Sequence, residues 1–255
     1  MIPKLIHQTW KTNEVPEHWK ESHIEWSAMD GWEYKLWTDD ENRRLIEEHY
    51  SWFLPKFDSY KHGIQRADAI RYFILHKFGG VYCDLDLVPT NDFNSFFESY
   101  RNNEIVLSLN RKGNDHDSQN ITNAIMMSKP GSQFWVLVWD ILINPFKFNG
   151  WKRILSKTHY FHVLFTTGPG VVSDAYHNWV DKDKVACIPG EIMQPDIGSN
   201  NRVSKIKTLE GSSWHQKDAR FFKGMGEVKN NATLILGILC VILCVIIIIL
   251  FFMRK

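Results

Sequence analysis

The most constraining stretch of this 255-residue chain is a helix-like segment, a glycine pair and an apolar strand-like segment in immediate succession. Ile64, Ala67, Ile70, Ile74 and Phe78 recur every three or four residues, the period of a helix with one buried face. Gly79-Gly80 can cap that helix. Val81-Tyr82-Cys83-Asp84-Leu85-Asp86-Leu87-Val88 then reads as a strand that carries two carboxylates. Similar alternation runs through the first ninety residues and predicts an α/β layer fold with a central mixed sheet, not a bundle or a sandwich.

Further strands are expected at residues 2–9, 32–37, 105–109 and 184–188, and helices at 16–29, 41–49, 64–78, 92–101, 132–143 and 170–180. Thr38 and Glu41 form a capping box for the second of these helices. Residues 110–120 read as a polar loop. With 30 Lys plus Arg against 29 Asp plus Glu, the chain offers no general attraction to a polyanion, so no nucleic-acid partner is expected.

Residues 234–253 are apolar apart from Gly237 and at about 1.5 Å per residue would span roughly 30 Å, which predicts one C-terminal transmembrane helix. The expected organisation is a catalytic domain at 1–228, a juxtamembrane linker at 229–233 and a single-pass anchor at 234–253. The first residues, Met1-Ile2-Pro3-Lys4, lack the pattern of a secretory signal, so the chain reads as tail-anchored. Lys217, Arg220, Lys223 and Lys229 before the anchor, against Arg254 and Lys255 after it, favour a cytosolic catalytic domain. The glycosylation tripeptides at Asn120 and Asn231 point the other way, so the side of the membrane stays open. Two of the four cysteines, Cys240 and Cys244, lie in the apolar run, and neither a disulfide framework nor a zinc site is implied.

The chemistry centres on Asp84 and Asp86. Two residues apart on an extended chain, they point to one face and can reach one hard divalent cation. Such an ion keeps open positions for phosphate oxygens, which suits a nucleotide diphosphate leaving group. Asp115-His116-Asp117 and Asp181-Lys182-Asp183 have the same spacing, but their polar surroundings read as solvated loops.

Taken together, Gln65-Arg66-Ala67-Asp68-Ala69-Ile70-Arg71-Tyr72 and Phe78-Gly79-Gly80-Val81-Tyr82-Cys83-Asp84-Leu85-Asp86 resemble the DXD-motif sugar transferases of glycosyltransferase family 32. That family includes fungal initiating mannosyltransferases and mannosyl-inositol-phosphorylceramide synthases. Residues 2–11, Leu36-Trp37-Thr38-Asp39-Asp40 and Gly211-Ser212-Ser213-Trp214-His215 add to the likeness, which covers about residues 2–215. The resemblance implies a GT-A-type nucleotide-sugar-binding fold. It also implies that Asp84 and Asp86 bind metal and diphosphate, that Asp68 and Arg71 contact the donor sugar and ribose, and that Trp10 lies near the base. Asn123 is similarly placed along the sugar site, and Ser213, Trp214 and His215 look like a closing segment, His215 being a further metal ligand or phosphate contact. Each has a plainer reading: Trp10 as core, Asp68 with Arg71 as a helix-surface pair, Asn123 as a strand end and His215 as a juxtamembrane polar residue.

What the resemblance implies for activity is a retaining hexosyl transfer dependent on Mn²⁺ or Mg²⁺, with GDP-mannose preferred over UDP-hexose as donor. The acceptor would be lipid-linked, such as inositol phosphorylceramide, or a glycan, and the location an ER- or Golgi-like endomembrane. Ser132-Gln133 stands where the family pattern has His-Pro, on the acceptor side. Two rival readings remain. Asp84-Leu85-Asp86-Leu87-Val88 also resembles the first motif of haloacid-dehalogenase-type phosphatases, with Asp84 as nucleophile, although some eighty residues precede it. The other rival is a non-catalytic, membrane-bound sugar-binding protein.

Overall fold

The computed structural model describes residues 1–110, 121–193, 195, 197–198 and 202–210. The chain opens with strand β1 (Leu5–Thr9), helix α1 (Lys20–Ser27) and strand β2 (Glu33–Trp37). Helices α2 (Asp39–His49), α3 (Leu54–Asp58) and α4 (Gly63–Phe78) lead into strands β3 (Gly80–Cys83) and β4 (Leu87–Pro89). Next come α5 (Phe93–Tyr100), β5 (Ile105–Leu109), β6 (Ile121–Ser128) and α6 (Gln133–Ile143). Helices α7 (Lys152–Leu155), α8 (His159–Thr166) and α9 (Pro169–Asn178) precede β7 (Val185–Ile188), α10 (Gly190–Met193) and β8 (Ile206–Thr208).

The main sheet has the order β2-β1-β3-β6-β5-β7. β1 runs parallel to β2 and β3, β6 antiparallel to β3 and β5, and β7 parallel to β5, so the sheet is mixed as the sequence predicts. Side chains alternate across it. Tyr82, Ile105, Leu107 and Met126 join a core with α2, α4, α6 and α9, whereas Val81, Cys83, Val106, Ile125 and Met127 join Trp26, Phe93 and Phe97 on the other face. Full burial of one such apolar side chain contributes about 1.5–3 kcal/mol, so both faces anchor the sheet firmly.

Two sequence expectations need correction. Residues 81–88 are not one strand: β3 ends at Cys83, and β4 pairs with β8 in a separate two-stranded sheet. Between them Leu87 N–H bonds to the Asp84 carbonyl at 3.1 Å, closing a turn that contains both acids. Their common face on an extended chain is therefore lost. The 16–29 helix begins instead as a 3-10 turn over Glu17–Trp19 and becomes α-helical at Lys20. Strand β6, absent from the expected strands, is buried at all eight positions, and burial on both sides removes the alternation that marks a half-covered strand. The Thr38 capping box forms as expected, and Asp181-Lys182-Asp183 lies on an exposed 3-10 turn with Asp181 paired to Lys184.

All described residues fall in the first of two compact units, Met1–Ser212. The expected linker, the apolar run 234–253, the tripeptides at Asn120 and Asn231 and the Asp115-His116-Asp117 triplet lie outside the described residues. Among the described residues no helix is long and apolar enough to cross a membrane.

The join from α4 to β3 depends on its two glycines. Gly79 and Gly80 have φ of +68° and +87°, and a Cβ on Gly80 would stand 2.2 Å from the Leu5 carbonyl oxygen. Backbone thus packs directly on backbone where β3 meets β1. His7 secures the same join: its Nε2–H donates to the Gly79 carbonyl at 3.0 Å, and its Nδ1 accepts from Trp37 Nε1–H at 3.1 Å. Burial lowers the His7 pKa to about 4, against the opposing effect of the Gly79 carbonyl. Because the folded-state value lies below the usual 6.5, the neutral ring's contribution is present above pH 6.5 and is lost as pH falls towards 4. A His7→Phe protein, which strands both hydrogen-bond partners, is expected to lose about 2–4 kcal/mol in urea unfolding at pH 7.5. That deficit should narrow towards pH 4, and a pH-independent deficit would contradict the assignment.

Candidate functional site

The Asp84–Leu87 turn is held in place through its backbone. Asp84 N–H donates to the Ala124 carbonyl at 2.8 Å, and Leu209 N–H donates to the Asp86 carbonyl at 2.7 Å. The Leu87 carbonyl accepts from Ser22 Oγ at 2.6 Å and Trp26 Nε1 at 2.7 Å, and Gln8 Nε2 donates to Ser22 Oγ at 3.0 Å. Four separate segments thereby fix where the two carboxylates sit. Leu85, between the acids, points into a small cluster with Val15 and Trp19.

Arg71 joins the turn to α4 and β6. Its guanidinium meets Asp68 Oδ1 at 2.9 Å and Asp84 Oδ1 at 3.2 Å, donates to the Asn123 carbonyl at 2.7 Å, and lies 4.6 Å from the centre of the Tyr82 ring. Burial opposes the charge on Arg71, but Asp84, Tyr82 and Asp68 outweigh it and push its pKa further up. Asn123 Nδ2 donates to both Asp68 Oδ1 and Tyr72 Oη at 3.0 Å, and Tyr72 O–H donates in turn to the Thr167 carbonyl at 2.8 Å. Tyr82 Oη donates to Asp84 Oδ1 at 3.1 Å and pairs with Thr9 Oγ1 at 3.0 Å.

Four residues singled out in the sequence, Asp68, Arg71, Asp84 and Asn123, thus form one continuous polar network. Asp68 and Arg71 are not a helix-surface pair: they are 5% and 3% exposed. Nor does Asn123 end a strand, since it is the third residue of β6. Trp10 is half-buried, packs on the Val15–Trp19–Leu85 cluster, and meets Trp19 edge-on with ring centres 5.2 Å apart. It therefore touches the group that carries Leu85. Ser213, Trp214 and His215 lie outside the described residues. Thr9, Gln8, Tyr72 and Tyr82 also belong to the network and were not foreseen, because isolated polar groups in apolar strands and helices look like ordinary core satisfaction.

Electrostatics separates the acids. Burial raises Asp68 to about 6 against the pull of Arg71. It raises Asp84 as well, Arg71 again opposing, and raises Asp86, which the Asp84 charge pushes up further. The Asp84 side chain is 33% exposed, so a ligand can reach it. Asp86 Oδ1 is buried without a hydrogen-bond partner. Two acids that hinder each other's ionisation, one with an orphaned oxygen, fit a hard divalent cation. Among the described residues no group of three or more His, Cys, Asp or Glu is gathered for a metal. Water, a bound phosphate or residues beyond the described set would complete such a shell.

Residues 13–103 match the family model described as "Glycosyltransferase sugar-binding region containing DXD motif", and they contain Asp84, Asp86, Asp68 and Arg71. The chain is 37% identical over 224 residues to "Inositol phosphoceramide mannosyltransferase 3" of Schizosaccharomyces pombe, covering 86% of this chain and 58% of that one. It is 34% identical over 236 residues to "Mannosyl phosphorylinositol ceramide synthase SUR1" of Saccharomyces cerevisiae, covering 88% and 55%. The chain belongs to the DXD-motif glycosyltransferases. Membership in that family replaces the phosphatase reading. The chain spans a little over half the length of these two relatives. A solved structure titled "PaToxG Glycosyltransferase" overlaps 72% of this chain and 73% of its own, at 15% identity and a TM-score of 0.47.

One stability effect follows from the crowded acids of this DXD turn. The raised pKa of Asp86 means that its stabilising contribution is complete at low pH and is lost as pH rises through the folded-state value. Asp86→Asn removes that titration. The metal-free variant is expected to be about 1–2 kcal/mol more stable than the unsubstituted protein at pH 8, with the gap closing towards pH 4. Calorimetry across that range, in the presence of a chelator, checks both sign and trend.

Proposed function

We propose that this protein is a metal-dependent, retaining hexosyltransferase that moves mannose from GDP-mannose, in preference to a UDP-hexose, to a lipid-linked or glycan acceptor. Inositol phosphorylceramide is the acceptor that the names of the two fungal relatives favour. One observation carries the reading: the Asp84–Leu87 turn is clamped at the carboxyl ends of β1 and β3 with the Asp86 oxygen left unpartnered. Ligands of open α/β sheets bind at that edge. On this reading the domain is of GT-A type and covers residues 1–228, with a linker at 229–233 and a membrane anchor at 234–253 that holds it to an endomembrane.

Asp84 and Asp86 would hold Mn²⁺ or Mg²⁺. A divalent ion bound there offsets charge on a departing diphosphate. Arg71 favours the ionised form of Asp84 and orients it, and its own charge would lie close to the same phosphates. Asp68, fixed by Arg71 and Asn123, would accept from sugar hydroxyls, and Trp10 would offer an indole face to the base. Ser213, Trp214 and His215 would close over the diphosphate, with His215 adding a ligand to the ion. No side chain is assigned as general base, since a retaining transfer of this kind does not clearly require one.

Substituting Asp84→Asn or Asp86→Asn, with turnover measured on a panel of nucleotide sugars, tests the assignment. Each change is expected to lower metal-dependent turnover by about 10²–10³-fold. Chelation should silence the unsubstituted protein and Mn²⁺ should restore it, with GDP-mannose the best donor. Full activity in both variants would end the metal assignment.

A further inference from the structure

One surface turn of the fold is built inside out. Trp151, Ile154 and Leu155 stand three and four residues apart at α7 and so share a face. That face points outward, at 58%, 70% and 39% exposure, and Phe148 just before it is 36% exposed. Lys152, which a surface turn would ordinarily leave in water, is buried. Its ammonium donates to Asp174 Oδ1 in α9 at 2.7 Å and lies 5.1 Å from the centre of the Phe165 ring, while Asn149 Nδ2 donates to the same carboxylate oxygen. A buried ion pair adds little net stability, because both groups lose their hydration. What the pair does here is hold α7 with its apolar side outward.

Charge indicates what that side meets. From residue 141 to residue 173 the sequence has no Asp or Glu, yet it carries Lys147, Lys152, Arg153 and Lys157. Lys147 is paired with Asp140 and Lys152 with Asp174. Among the described residues the exposed Arg153 and Lys157 have no ion-pair partner. In a chain whose formal net charge is only +1, this is a local excess.

We propose that the outward face of α7 lies on an anionic lipid surface. Trp151, Ile154 and Leu155 would enter the headgroup boundary, and Arg153 and Lys157 would meet lipid phosphates. The placement suits chemistry on a membrane-borne molecule. Helix α8 begins four residues after α7 and ends on the polar network, where the Thr166 hydroxyl accepts from Gln65 and the Thr167 carbonyl accepts from Tyr72. An eight-residue helix is about 12 Å long, so the docking turn and the Asp68–Arg71 network lie roughly one such helix apart. The inference goes beyond the proposed transfer reaction and does not depend on it.

Hydrogen exchange on the full chain, reconstituted into bilayers of phosphatidylcholine alone or of phosphatidylcholine with phosphatidylinositol, tests the inference. Amides of residues 147–158 are expected to exchange at least about fivefold more slowly in the anionic bilayer. The difference should vanish in Arg153→Glu/Lys157→Glu and in Trp151→Ser/Ile154→Ser, both checked for an unchanged melting temperature. Equal exchange in the two bilayers overturns the inference. If equally slow, the face is covered by something other than anionic lipid, the chain's own residues 211–255 included; if equally fast, it is covered by nothing. A difference that survives charge reversal overturns it as well.

Discussion

A single buried guanidinium organises this molecule. Arg71 lies at the meeting point of α4, the end of β3 and the early part of β6, and it bonds to a carboxylate or carbonyl on each. A charge so enclosed is tolerable only because Asp68 and Asp84 share it; removing one member of such a set typically costs about 3–5 kcal/mol, since the remaining charges stay buried. The demand runs both ways. Asp84 is fixed because Arg71 needs it, and the turn that presents Asp86 is fixed because Asp84 cannot move.

The site lies where the sheet changes character. β2, β1 and β3 run parallel and end together at Trp37, Thr9 and Cys83, whereas β6 starts beside them in the opposite sense. Asn123 at the beginning of β6 is thereby brought to the edge at which Asp84 leaves β3. At that edge the chain abandons the main sheet, turns through the two acids and starts a second, smaller sheet with β8. The carboxylates thus stand on a short bridge between sheets, with backbone bonds at both ends and a hydrophobic peg, Leu85, in its middle.

Much of this was legible in the sequence, for reasons that differ by residue. Helix α4, its glycine cap and the Thr38 capping box declare themselves by period and by local chemistry, and all three are present in the fold. The pairing of Asp68 with Arg71 follows from helical spacing, although nothing local reveals that the pair is buried. The break between β3 and β4 was hidden, since Leu87 and Val88 are apolar in whichever sheet they belong to. β6 was hidden because a strand buried on both faces has no polar beat. Tyr72, Tyr82 and Thr9 could not be chosen, because Tyr72 meets partners 51 and 95 residues away and Thr9 and Tyr82 meet each other across 73.

The central claim is that the Asp84–Asp86 turn grips a divalent ion against a nucleotide diphosphate. Electron–nuclear double resonance on Mn²⁺ with the full chain and GDP tests it most directly. A bound manganese signal with ³¹P coupling, absent from Asp86→Asn, is the predicted result. A manganese signal with the same ³¹P coupling in Asp86→Asn, or free manganese in the unsubstituted protein, would contradict the account.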